Sequence, residues 1–349
     1  PTAEEVRPIV VAESQPPRWG WRALVVFVTG GALTAPGFGV AQLDDQQDVS
    51  ASATTQTSTV AAAPTDEPIV VQPPDIDTNE PVAFVAALLG PSVVQIETDI
   101  GLGSGVIYGE GLILTNNHVI ENTSQVRVRL SDGRTLEAEV VGSDPRTDIA
   151  VVSAGADLDL PQATLALDKP LEVGELTVAI GSPFQLQQTV TSGIVSAVNR
   201  PIFNGAGFNA MVQTDAAINR GNSGGALANR LGEVIGINTA IQTDGTSSNN
   251  AGIGFAMPIT TAYEVASRIV DGESLEPGFL GVEGTPPANG EIGVLLASVT
   301  AGSAAEFAGL QVGDIVVSID GAPVTAFEEL AGLVQTSFPG QEIELQLML

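Results

Sequence analysis

Gly221-Asn222-Ser223-Gly224-Gly225 is the stretch on which the fold turns. Serine attack on a carbonyl needs an exposed hydroxyl, a base beside it, and backbone N–H groups aimed at the developing oxyanion. Glycines on either side of Ser223 permit a tight turn with no side chain over the reacting centre. Gly221, Asn222 and Ser223 form the candidate oxyanion hole, with the N–H groups of Gly221 and Ser223 converging on one point. Taken alone, five residues of this kind also fit an ordinary Gly-rich loop. They match the G-x-S-x-G elbow of α/β-hydrolases too, but in that fold the histidine follows the serine. This chain has a single His, and His118 precedes Ser223.

Working outward, His118 follows the apolar stretch Leu112-Ile113-Leu114-Thr115 and the polar turn Asn116-Asn117, which presents it just past a strand end. Its acid partner must be partly buried to hold the imidazole N–H and stabilise the imidazolium. Asp132 lies in an Asp-Gly turn and Asp144 begins the turn Asp144-Pro145-Arg146, so both read as solvated. Asp148 opens the apolar run Asp148-Ile149-Ala150-Val151-Val152, which carries its carboxylate inward. Asp215 is the rival, but its closeness to Ser223 suits a residue that supports the serine loop. The candidate catalytic set is therefore His118, Asp148 and Ser223, in the chain order of chymotrypsin-like proteases.

The rest of the chain reads as mainly β. Short apolar runs at 93–97, 105–108, 112–115, 126–130, 136–142, 148–153, 176–180, 193–198, 226–227 and 234–240 are separated by turn signals such as Asp132-Gly133. That spacing predicts a sandwich or a pair of barrels. Helices are predicted over 81–89, with Pro in the first turn, and over 260–271. Residues from about 277 onward form a second, smaller α/β unit.

Composition narrows the chemistry. The chain carries 41 acidic against 12 basic residues, a formal net charge of −29. A protein that tracks a phosphate backbone needs a basic surface, so nucleic acid is excluded as a partner. The acidity reads as a soluble or salt-adapted surface and says little about the fold. With no Cys and one His there is no disulfide framework, thiolate zinc site, cysteine nucleophile or His-rich metal site. No metal or organic cofactor is indicated.

Residues 1–17 are polar and acidic and read as a disordered N-terminal tail. Residues 18–43 open with Arg18-Trp19-Gly20-Trp21-Arg22 and continue without charge from Ala23, long enough to cross a bilayer as a helix. The flanking Arg and Trp suit a membrane interface and predict a cytoplasmic N-terminus. The alternative is a signal segment cleaved near Gln42, after the small residues Gly39 and Ala41. Residues 44–79, rich in Ser, Thr, Gln, Asp, Ala and Pro, read as a flexible linker. The predicted location is thus the cell membrane with the later residues extracytoplasmic, or the periplasm or exterior after cleavage.

The segments Thr115-Asn116-Asn117-His118-Val119, Asp144-Pro145-Arg146-Thr147-Asp148-Ile149-Ala150-Val151 and Gln213 through Leu227 resemble the HtrA (Deg) family of PDZ-bearing serine proteases, in its membrane-anchored bacterial type. The resemblance implies a chymotrypsin-like double β-barrel protease domain over 80–273, followed by a small α/β PDZ domain over 274–349. Leu349 falls where the family's last core strand region lies, so a C-terminally truncated PDZ domain is an expectation. The implied activity is ATP-independent, PDZ-regulated endopeptidase action on unfolded or mislocalised proteins, in quality control and stress response, usually as a homotrimer. The alternative is a PDZ-mediated chaperone or adaptor, or a stress-sensor protease with little general proteolysis.

In chymotrypsin-like proteases the residue six before the serine floors the primary pocket; here it is Ala217, which cannot hold Lys or Arg. The resemblance places Ile237, Asn238 and Thr239 along the substrate-pairing strand, and Ile253 and Phe255 beside the pocket. Cleavage after Val, Ala, Ile or Leu is the expectation. Segments 201–211 and 242–252 resemble the family's mobile activation loops in position. Only Asp99-Ile100 separate the run 93–98 from the glycine cluster at 101–105, so large cages built through a long insertion there are not expected.

Gly278-Phe279-Leu280-Gly281-Val282 and the stretch 308–321 resemble the family's PDZ domain. A Gly-flanked loop can turn its N–H groups to a terminal carboxylate, and the strand after it can pair with an added peptide strand. A helix over 326–335 would line this groove with Leu330 and Val334, and a shorter helix over 306–310 would end at Gly309. C-terminal peptides are the expected ligands.

Overall fold

The computed structural model describes residues 4–10, 80–182, 188–219, 221–241, 252–288 and 290–348. The apolar stretch 18–43, the linker 44–79 and the segment 242–251 lie outside the described residues. Among the described residues no helix is long and apolar enough to cross a membrane.

The first element corrects an expectation. Within the stretch read as a disordered tail, Glu4–Val10 form strand β1. Its backbone pairs antiparallel with the last strand of the chain, from Glu4↔Met348 to Val10↔Glu342. An unpaired sheet edge offers a row of free N–H and C=O groups to any short extended segment. Here that edge lies at the far end of the chain, where local composition gives no sign of it.

Helix α1 (Pro81–Leu89) starts with proline in its first turn, as predicted, and seats Val85 and Leu89 in the core shared by the two barrels. Six strands then close the first barrel: β2 (Val93–Thr98), β3 (Leu102–Ile107), β4 (Leu112–Asn116), β5 (Val126–Arg129), β6 (Thr135–Asp144) and β7 (Ile149–Ser153), in the order β2-β3-β4-β7-β6-β5. One-turn helix α2 (Asn117–Ile120) leaves the end of β4. In β5, Val126 and Val128 are buried while Arg127 and Arg129 are exposed, the period of two that puts one strand face in a barrel core.

The second barrel comprises β8 (Leu176–Gly181), β9 (Thr189–Phe203), β10 (Phe208–Thr214), β11 (Ala226–Ala228), β12 (Val234–Ile241) and β13 (Gly254–Pro258), closed as β10-β13-β12-β11-β8-β9. The predicted choice between sandwich and barrels resolves as two barrels. Helix α3 (Ile259–Asp271) lays Ile259, Ala262, Val265 and Ala266 on the core between them.

The smaller unit holds β14 (Val282–Thr285), β15 (Val294–Val299), α4 (Ala304–Phe307), β16 (Ile315–Ile319), β17 (Ala322–Pro323), α5 (Phe327–Gln335) and β18 (Glu342–Met348). Its sheet runs β1-β18-β16-β15-β14, with β17 on β16, over a separate core that includes Leu280, Leu296, Leu310, Leu330 and Leu345. The short helix sits earlier than predicted, because Ser303 caps it and Glu306 reaches back to the N–H of Gly302 at 2.6 Å.

Phe338, just past α5, is fully buried, yet it packs in the protease core rather than among its own unit's side chains. The guanidinium of Arg268 lies 4.2 Å from its ring centroid and that of Arg146 lies 5.7 Å away. Arg146 also donates to the backbone carbonyl of Gln335 and pairs with Asp144 at 3.2 Å.

Candidate active site

β4 and β7 are neighbours, with Asn116 opposite Ile149, so the residues just beyond these strand ends meet. His118 Nδ1 lies 2.6 Å from Asp148 Oδ2, and the main-chain N–H of His118 donates to Asp148 Oδ1 at 2.9 Å. Both carboxylate oxygens thus hold one residue. Asp148 adopts φ +58, a left-handed conformation that costs about 1 kcal/mol or more without glycine. Its carbonyl accepts from the N–H of Asn117 at 3.1 Å and from Asn116 Nδ2 at 2.9 Å.

Partial burial works to lower the pKa of His118. The hydrogen bond and negative charge of Asp148, helped by Glu121, outweigh it, and the pKa lies above the ordinary imidazole value. Asp144, read as solvated, is instead buried, accepting from Thr147 Oγ1 at 2.8 Å and from Arg146. The turn folds back on itself, and its Arg146 also donates to the carbonyl of Gln335 at the end of α5, a link that sequence does not show. Asp215 is exposed and accepts from the N–H of Ile194 at 2.7 Å, bracing the chain ahead of Ser223 against β9.

The serine loop is pinned to the first barrel. The N–H of Ser104 donates to Ser223 O at 2.8 Å, Ser104 Oγ donates to Gly221 O at 2.6 Å, and Thr115 Oγ1 donates to Ser104 O at 2.7 Å. Gly224 has φ +82, and a Cβ there would collide with Ser104 O and Thr115 Oγ1. Only glycine lets the loop come this close to the strand that ends beside His118. Among the described residues the structure joins His118 to Asp148 by hydrogen bonds, while no hydrogen bond joins His118 to Ser223.

Asn222 does not belong with the oxyanion donors. Its N–H is spent on Asn219 O at 3.0 Å, and its carboxamide reaches Ala217 O at 3.4 Å. Gly221 and Ser223 remain as the candidate pair.

A cavity of about 470 Å³ opens beside His118 and Asp148, lined also by Glu121, Asn204, Thr239 and Met257. Of the six expected pocket residues only Thr239 lines it. Ile237 and Phe255 are core residues. Asn238 uses both backbone groups on the serine loop, donating to Gly225 O at 2.9 Å and accepting from the N–H of Gly224 at 2.8 Å. Ala217 is exposed and Ile253 half-buried, and neither faces this cavity. The cavity borders His118 and Asp148 rather than the residues ahead of Ser223, so it is distinct from the expected primary pocket at Ala217. β12 pairs with β11 as far as Ile237 and with β13 from Gly236 to Ile241.

The predicted mobile segment 201–211 is mostly strand. β9 runs to Phe203 and β10 resumes at Phe208, leaving a turn in which Asn204 Oδ1 accepts from the N–H groups of Ala206 and Gly207 at 3.0 and 3.2 Å.

In the smaller unit a groove of about 120 Å³ is lined by Gly278, Phe279, Leu280, Gly281, Val282, Leu330 and Val334, all seven anticipated. Phe327, Ala331 and Gln335 complete it. The three-residue steps from Phe327 to Leu330 and Ala331 to Val334, and the four-residue steps from Phe327 to Ala331 and Ala331 to Gln335, are the signal along α5 that marks one helix face. Gly281 takes φ +83 against Ser303, where a Cβ would not fit. Gln335 is shared, because its Oε1 also accepts from the N–H of Phe208 in the protease domain at 2.8 Å.

The comparisons agree with this architecture. A trypsin-like peptidase domain model matches residues 103–237 and a PDZ domain model matches residues 296–347. The periplasmic pH-dependent serine endoprotease DegQ of Escherichia coli (strain K12) is 42% identical over 259 residues, 71% of this chain and 56% of that protein. The periplasmic serine endoprotease DegP of Salmonella typhimurium is 45% identical over 266 residues, 73% of this chain and 55% of that protein. The chain therefore spans about half the length of the curated relatives it matches. The solved HtrA-type protease AlgW with tripeptide superposes with a TM-score of 0.60 at 36% identity, covering 76% of this chain and 95% of that one. The chain belongs to the HtrA-type family, in which a trypsin-like peptidase domain is followed by a PDZ domain.

Proposed function

We propose that the chain is an extracytoplasmic serine endopeptidase, with Ser223 as nucleophile, His118 as base and then acid, and Asp148 as the group that orients it. The carrying observation is the doubly bonded His118–Asp148 pair at the mouth of the cleft to which the serine loop is pinned. Asp148 accepts a hydrogen bond from Nδ1–H, which fixes the tautomer and leaves the Nε2 lone pair for the Ser223 hydroxyl. Attack by Oγ on a peptide carbonyl gives a tetrahedral oxyanion facing the N–H groups of Gly221 and Ser223. His118 then protonates the departing amine, and water repeats the sequence on the acyl-enzyme.

Ala217 at the pocket floor favours cleavage after small or branched apolar residues. Unfolded or mislocalised proteins are the fitting substrates, and a homotrimer the fitting assembly. The PDZ groove takes C-terminal peptides and regulates the site through Gln335, which touches the groove, Phe208 and Arg146 together. Arg146 stands two residues before Asp148. Of the two readings of residues 18–43, the periplasmic relatives favour a cleaved signal over a single-pass anchor. The β1–β18 pairing does not separate them, since cleavage near Gln42 would remove residues 4–10. A single crossing would part residues 4–10 from the PDZ sheet.

The test is casein degradation by the chain beside its Ser223→Ala variant. Loss of degradation in the variant is the expected result. Equal suppression of aggregation by both, with no cutting by either, would replace the reading with a PDZ-mediated chaperone or adaptor.

A further inference from the structure

The residue that starts helix α2 is unusual in what its side chain leaves undone. Asn116 occupies the N-cap, where an Asn oxygen ordinarily accepts from an N–H of the first turn. It makes no such bond, and its Oδ1, buried, has no partner. The helix is capped instead by Asp148, whose Oδ1 accepts from the N–H of His118. Freed from capping, the Asn116 carboxamide donates to Asp148 O at 2.9 Å and to Thr239 Oγ1 at 3.1 Å. Asn116 itself is fully buried.

Two features make this more than packing. Asp148 holds a left-handed conformation that persists only where the surroundings over-determine it, and Asn116 supplies one of the two bonds to its carbonyl. Thr239, the other acceptor, lines the cavity beside His118 and belongs to the second barrel. One carboxamide thus ties the Asp148 backbone to the opposite wall of the cleft.

We infer that Asn116 is a positioning residue for the His118–Asp148 pair, locking the Asp148 carbonyl so that both carboxylate oxygens stay on His118, and referencing that pair to the Thr239 wall. The inference rests on the proposed role of the pair in proteolysis, but its primary readout does not require activity. His118 is the chain's only histidine, so its imidazole resonances report one titration without overlap from another histidine.

The experiment is NMR titration of His118 in the Ser223→Ala background, with and without Asn116→Ala, and separately with Thr239→Val. Loosening Asp148 weakens the bond and charge that raise the His118 pKa. The expected result is a downward shift of about half a unit or more in Asn116→Ala and a smaller one in the same direction for Thr239→Val. In the Ser223 parent, Asn116→Ala should lower kcat on the order of tenfold, with KM changed less than about twofold and the acidic limb moved to lower pH. A folded Asn116→Ala protein whose His118 titrates as in the parent would overturn the inference. Should Asn116→Ala not fold, an unmoved titration in Thr239→Val overturns the link across the cleft. A parent with no proteolytic activity but a shifted titration would instead fault the functional reading alone.

Discussion

Phe338→Ala isolates what holds the PDZ domain on the protease. The ring is fully buried in the core of the neighbouring domain, with one guanidinium 4.2 Å and another 5.7 Å from its centroid. Truncating a buried Phe costs about 3–5 kcal/mol. The upper half of that range applies, since the change also strips two cations of their ring face, worth about 0.5–2 kcal/mol at partly desolvated sites. Because the PDZ unit has its own core, the loss should fall on docking first. Phe338→Leu restores apolar volume without the ring and should cost about 1–2 kcal/mol. Urea unfolding followed by circular dichroism measures the totals, and limited proteolysis in the connection at 272–278 reports undocking. Calorimetry should show one transition in the parent and two in Phe338→Ala. A single unshifted transition, or a loss below about 1 kcal/mol, would refute the clamp and the reasoning from burial behind it.

The raised pKa of His118 places the acidic limb of kcat/KM above the ordinary imidazole value, with activity falling as pH drops through it; a pH–rate profile flat across the region would contradict this. The same shift has the opposite sign for stability. A folded pKa above the unfolded one gives a contribution present below the unfolded value and lost as pH rises through the folded value, so denaturation midpoints should slip slightly as activity rises. Gly224→Ala should reduce turnover at least about a hundredfold by pushing the serine loop off Ser104 and Thr115, while the PDZ groove binds peptide unchanged in calorimetric titration. Ala217→Asp should redirect cutting toward Lys and Arg in peptide mapping; an unchanged cleavage pattern would remove Ala217 from the pocket floor.

The catalytic candidates were legible because chain order is a strong filter. One His ahead of a Gly-flanked Ser leaves a single arrangement, and the apolar run after Asp148 marks the inward-facing acid. Helix α1 and most strands followed from proline placement and apolar periodicity. What sequence could not show depends on how side chains bond and on pairing at a distance. Asp144 is buried within its own turn, where Arg146 and Thr147 bond its carboxylate. Ile237 is buried in the core and Asn238 pairs with the serine loop because β11 runs along β12 as far as Ile237, a matter of register. β1 exists only through the edge of β18, and Phe338 reads as a core residue of its own unit until the packing is seen. The Asn222 N–H closes the turn from Asn219, a local bond that the glycine pattern around Ser223 does not reveal.

The most direct test of the account is covalent labelling of the serine. The chain is incubated with a fluorophosphonate and mapped by mass spectrometry, beside its His118→Ala variant. The account predicts one adduct, on Ser223, formed in the parent and suppressed in the variant. An adduct elsewhere, or labelling of Ser223 at the same rate without His118, would contradict it.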